Sequence, residues 1–148
     1  MDGTGEYYVI NHIVMFTGLS ERTIRSHIAS GFLKGEKING LWHFTPEEVE
    51  NFINHPSVKP GILAKSNSLV YDFLSDTGKK ADEMVVILDI PGKSKIEISK
   101  LFCREICDGD YKNIKFSFSD LSGINRVIIS GDADNVLKLL EFYKNNLK

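Results

Sequence analysis

The sequence predicts an α+β protein: a small helical N-terminal unit with one hairpin, then a module of order α-β-α-β-β-α. Three observations lead there. Capped segments with helical apolar spacing run through residues 11–53 and are interrupted by a hairpin signal at Asn39-Gly40. Residues 55–65 (His-Pro-Ser-Val-Lys-Pro-Gly-Ile-Leu-Ala-Lys) carry two prolines and a glycine, the punctuation of a linker. Beyond them, short β-branched runs alternate with helical patterns. The predicted organisation is a unit at 1–56, a linker at 57–65 and a module at 66–148.

Composition bounds the function classes. A chain of 148 residues, 42% hydrophobic and 26% charged, is long enough for a core and lacks the charge excess of disorder. No apolar run approaches the ~20 residues of a membrane span. Met1–Glu6 has neither a basic head nor an apolar stretch, so no signal peptide is predicted. Two cysteines make no disulfide framework, which points to the reducing cytoplasm. The net charge of −2 leaves no global basic footprint, so any nucleic acid must be held by a local patch. His12, His27, His43 and His55 share no i, i+4 spacing, and neither a metal site nor a cofactor is predicted.

Each N-terminal element has a physical reason. Asn11–Phe16, with Ile13, Val14 and Phe16, reads as a short helix ending at Thr17-Gly18, where glycine permits the left-handed turn. Ser20 is the N-cap of a second helix, Glu21–Ser30, with Ile24 and Ile28 four apart on its inner face. Arg22, Thr23, Arg25, Ser26 and His27 occupy the other faces, and Gly31 ends the helix. Asn39-Gly40 between Lys34–Ile38 and Leu41–Phe44 predicts a two-residue type I′ hairpin, with Ile38 facing Leu41 and Glu36 facing His43. Thr45-Pro46-Glu47-Glu48 then opens a third helix: N-cap, proline at the first helical position, capping-box glutamate. Val49, Phe52 and Ile53 form its inner stripe.

Two short helices joined by a glycine turn, with a hairpin behind them, form a winged helix-turn-helix. Residues 7–54 resemble the version shared by MerR regulators and excisionase-type proteins. Thr17-Gly18-Leu19-Ser20-Glu21-Arg22-Thr23-Ile24-Arg25 is similar to the MerR core, whereas the wing Lys37-Ile38-Asn39-Gly40-Leu41-Trp42-His43-Phe44 is closer to the excisionase type. The resemblance implies double-stranded DNA as partner. It puts Arg22, Thr23 and Arg25 at the recognition surface, Ser20, Ser26 and His27 beside them, and wing contacts from Lys37, Asn39 and His43. Both groups usually carry arginines at the wing, where this chain has Leu41, Trp42 and His43. Fewer fixed cations predict a shallower salt dependence. Trp42 is expected to pack under the wing, and an alternative for Arg25 is an ion pair with Glu21 at i, i+4.

In the C-terminal module, Ser66 or Ser68 is expected to cap a helix carrying Leu69, Val70, Phe73 and Leu74. Met84–Ile90, stopped by Pro91-Gly92, reads as a buried strand. Ile98–Asp108 reads as a helix, Ile114–Phe118 and Arg126–Ser130 as strands joined by a polar loop at Asp120–Asn125. A last helix is capped by Asp132 or Asp134 and striped by Val136, Leu140, Tyr143 and Leu147. The helices are expected on one face of the sheet. Cys103 and Cys107, at i, i+4, read as core thiols beside Phe102 and Ile106.

No acid, base or nucleophile set suggests an enzyme. The expected function is a sequence-specific transcriptional regulator, with Glu21–Ser30 in the major groove and the wing at Lys34–Phe44. It would act as a homodimer through residues 66–148. Alternatives are an excisionase-like architectural factor, or a small-molecule sensor or protein-interaction module in the C-terminal half.

Overall fold

The computed structural model describes residues 7–146. The readings placed on Met1–Glu6 and Leu147 lie outside the described residues, as do the side chains of Phe16 and Ile96. The first two helices are α1 (Ile10–Thr17) and α2 (Glu21–Ser30), with Gly18 at φ 76° and Gly31 at φ 85° closing them. Strands β1 (Glu36–Ile38) and β2 (Leu41–His43) pair in the expected register, Ile38 with Leu41 and Glu36 with His43. Asn39 (φ 52°) and Gly40 (φ 80°) both take the positive φ that a type I′ turn needs. Helix α3 (Pro46–Ile53) carries the expected capping box: Thr45 Oγ1 accepts from the Glu48 N–H at 3.1 Å, and Glu48 Oε1 accepts from the Thr45 N–H at 2.9 Å.

The segment expected as a linker is largely helical. Helix α4 spans Lys59–Ser75, so residues 59–65 form its first turns and Ser66 lies inside it. Pro60 is tolerated there because the first-turn N–H groups have no intrahelical partner. Buried Val58 and Ile62 anchor this start, a tertiary effect that overrides the Pro-Gly signal.

Then follow β3 (Glu83–Pro91), α5 (Lys95–Asp108), β4 (Ile114–Leu121), β5 (Ile124–Asp132) and α6 (Ala133–Asn146). The three strands form one antiparallel sheet of order β3-β5-β4. The loop expected at Asp120–Asn125 is instead a two-residue turn, Ser122-Gly123, with both φ values positive (51° and 91°), and the flanking strands are longer than expected.

Helices cover both faces of this sheet, not one. Ser117 donates to Ser66 Oγ of α4 at 2.7 Å, whereas its neighbour Phe116 lies 5.5 Å from Phe102 of α5. Adjacent strand residues point to opposite faces, so α4 is on one side and α5 on the other. Phe102 also stacks on Tyr143 of α6 at 5.7 Å. Strand β3 departs further from expectation: only Ile90 of its nine residues is buried, because it stands at the sheet's edge.

Helix α1 joins the halves. It packs against α2, β4 and α5. Tyr8, just before it, exchanges two backbone hydrogen bonds with Phe44, and its hydroxyl lies 3.2 Å from Ser99 Oγ of α5. One hydrophobic cluster runs from Ile13, Phe44 and Phe52 through Ile98 and Phe102 to Phe116 and Val127. Among the described residues no helix is long and apolar enough to cross a membrane.

His12 makes the joint sensitive to pH. Its Nδ1 accepts the Val9 N–H at 3.1 Å, satisfying a free donor of the first turn of α1. Burial, reinforced by Arg104 and opposed by Asp108, lowers its pKa below the usual 6.5. The unfolded chain therefore takes up this proton at higher pH than the folded one. Stability present above pH 6.5 is lost as pH falls from there toward the lowered folded value, and levels off below it. His12→Gln keeps an acceptor but does not titrate. Urea titrations should show a smaller loss between about pH 7 and about pH 5 for this variant than for the parent.

Candidate nucleic-acid interface

The faces of α2 separate cleanly. Ile24 is buried and Ile28 half-buried, whereas Glu21, Arg22, Arg25, Ser26 and Ala29 are exposed and line one shallow, open depression. Among the described residues Arg22 has no side-chain partner. Arg25 Nε donates to Glu21 Oε2 at 2.9 Å, so the alternative weighed for Arg25 is observed, with both side chains more than half exposed. Such a pair contributes little and is readily exchanged for another anion.

Ser20 and Thr23 are engaged with each other. The Thr23 N–H donates to Ser20 Oγ at 3.1 Å, and the two hydroxyls lie 2.9 Å apart. Ser20 thus serves first as a cap. Ser20→Ala should cost about 1 kcal/mol in urea unfolding, and Ser20→Asp, also a good cap, should recover most of it.

His27 does not join the open face. Its ring meets Phe52 of α3 edge-on at 5.3 Å and Phe32 at 5.7 Å. Burial first and the nearby His55 second hold its pKa below the usual value. Its position on α2, beside the open face, turns the ring toward α3, where Phe32 and Phe52 pack against it.

At the hairpin, Asn39 is exposed at the tip and Lys37 is exposed with its Nζ 5.9 Å from the Trp42 ring centre. Trp42 is half-buried and stacks toward buried Phe44 at 6.1 Å, in keeping with a packing role. His43 stacks on Tyr7 at 4.1 Å, which leaves it half-buried rather than projecting. Tyr7 was outside the expected set; no spacing rule places it there, because its position follows from the Tyr8–Phe44 bridge.

Cys103 is buried, with its thiol 3.8 Å from the His12 carbonyl, but Cys107 is exposed, so the core reading holds for the first alone. Burial raises both thiol pKa values, assisted by Cys107 for the first and by Asp108 for the second. Two open grooves accompany the C-terminal helices: one between α5 and α6 beside Leu101 and Phe142, one between α1, α4 and β4 beside Met15 and Leu69. No family model, no curated protein and no solved structure matches the chain.

Proposed function

We propose that the protein is a sequence-specific DNA-binding transcriptional regulator of the cytoplasm, with residues 7–54 acting as a winged helix-turn-helix. Helix α2 enters the major groove, and the β1-β2 hairpin steadies it against the adjacent backbone. Arg22 and Arg25 read base edges or hold phosphates, and Ser26 adds a hydrogen bond. The observation that carries this reading is the exposed polar face of α2, whose two guanidinium groups are left uncovered by the C-terminal half. Four cations, Arg22, Arg25, Lys34 and Lys37, against Glu21 and Glu36 give this stretch the local positive balance that the whole chain lacks.

One such module presents few phosphate contacts, whereas specific sites are typically held at about 10⁻⁸ M or tighter. Two copies joined through residues 66–148 would double the contacts and read a two-fold symmetric site. Selection of bound duplexes from a random DNA pool, with the full chain, tests the proposal. Enrichment of a defined motif is expected, and its half-sites should repeat with inverted symmetry. A pool that stays random after repeated rounds would remove the function.

A further inference from the structure

The edge strand β3 carries the sequence of a buried strand, and between Met84 and Leu88 it has none of the features that usually guard an edge. It pairs with β5 through nine consecutive residues without a bulge, and among the described residues it has no other strand partner. Helix α1 packs against the opposite edge strand, β4, so among the described residues of this sheet the open row of backbone N–H and C=O groups is that of β3. Between Met84 and Ile90 the single charge is Asp89, and Arg126 neutralises it through two hydrogen bonds of 2.7 and 2.8 Å. There is no lysine, no inward charge and no proline before Pro91.

Apolar side chains flank this edge on both sides of the sheet. Among the described residues five large hydrophobic side chains are more than half exposed, and four of them belong to α4, β3 and α6: Tyr71 at 74%, Leu74 at 70%, Ile87 at 52% and Leu137 at 53%. Ile87 points to the α4 face, because its register partner Ile128 lies on the same face as Ser117. On α4, Lys65 and Asp72 face the groove beside β4, and Leu74 lies on the other side of the helix, toward β3. On α6, Phe142 faces α5, which leaves Leu137 on the side away from α5. Monomeric proteins seldom leave an apolar strip of this kind open.

We infer that the partner covering this edge is a second copy of the chain, joined by antiparallel β3–β3 pairing about a two-fold axis at Ile87 to make a continuous six-stranded sheet. The strand is self-complementary in that register. Ile87 faces its own copy, Val86 faces Leu88, Met84 faces Ile90, Val85 faces Asp89 and Glu83 faces Pro91, so no like charges meet. An axis one residue earlier would set Glu83 against Asp89. The helices α4 and α6 of the two copies then approach across the axis and bring Leu74 and Leu137 under cover. This inference deepens the two-copy part of the proposed function and is tested without DNA, so its failure leaves the DNA reading to the selection experiment.

Sedimentation velocity of the full chain at micromolar concentration should show a dimer. Ile87→Lys and Ile87→Glu place like charges at the axis and should each weaken association by about a hundredfold or more. Their melting curves should stay close to those expected for a monomer, since the side chain is half exposed. An equimolar mixture of the two variants should regain the dimer through an opposite-charge pair. In a Cys107→Ser background, Ile87→Cys should cross-link to itself under mild oxidation and Val85→Cys should not. A monomeric parent chain, as expected if the edge serves a peptide of another protein, would overturn the inference. So would variants as dimeric as the parent, or a dimer in which Ile87→Cys fails to cross-link.

Discussion

Arg22→Ala is expected to weaken binding to the selected duplex by about 1–3 kcal/mol, the usual worth of a bidentate base contact. Among the described residues Arg22 has no competing partner, so its donor set is available to the nucleic acid. Arg25→Ala should cost less, because Arg25 must first give up Glu21 at 2.9 Å. Glu21→Gln frees that guanidinium and should tighten binding and steepen its salt dependence. The two roles of an arginine separate in the same titrations. Loss of a phosphate contact lowers the slope of log K against log salt by about 0.9 and weakens all sequences alike. Loss of a base contact relaxes preference at one position. Affinities for the Arg22→Ala protein that match the parent on every duplex would take this side chain out of the mechanism.

Phe102→Ala should reduce the unfolding free energy by about 3–5 kcal/mol, the range for deleting a buried aromatic side chain. Phe102 is fully buried and touches Phe116 of β4 and Tyr143 of α6, so its removal opens a void among three elements. The effect should extend to the N-terminal residues, because Ile13, Phe44 and Phe102 belong to one hydrophobic cluster. Trp42, the single tryptophan, sits on the β1-β2 hairpin and reports that end of the molecule. Its fluorescence and the far-ultraviolet circular dichroism should therefore shift their urea midpoints together. A Trp42 transition left at the parent midpoint would mean that the two ends unfold separately.

Local chemistry was legible wherever a few neighbouring residues decide the conformation. Ser20, Thr45 and Glu48 cap as expected, and Asn39-Gly40 turns in the expected register, because each needs only hydrogen bonds or φ values set within four residues. The exposed polar face of α2 followed equally from the spacing of Ile24 and Ile28. Where distant groups compete, the local signal gave way. Pro60-Gly61 punctuates the chain, yet Val58 and Ile62 find buried sites and draw it into α4. Spacing sets His27 beside the polar face of α2, and only the fold brings Phe32 and Phe52 against its ring.

The sequence by itself determined the order of elements, the caps at Ser20 and Thr45, the turn at Asn39-Gly40, and which residues of α2 could face outward, since periodicity and capping are properties of short windows. Only the tertiary structure decided that α1 packs on both halves with Tyr8 meeting Ser99 of α5, that helices lie on both sheet faces, and that β3 stands at an open edge. An apolar run reads the same whether a neighbouring strand covers it or not. Which of the two holds depends on chain topology, through contacts between residues too far apart for any local pattern to record.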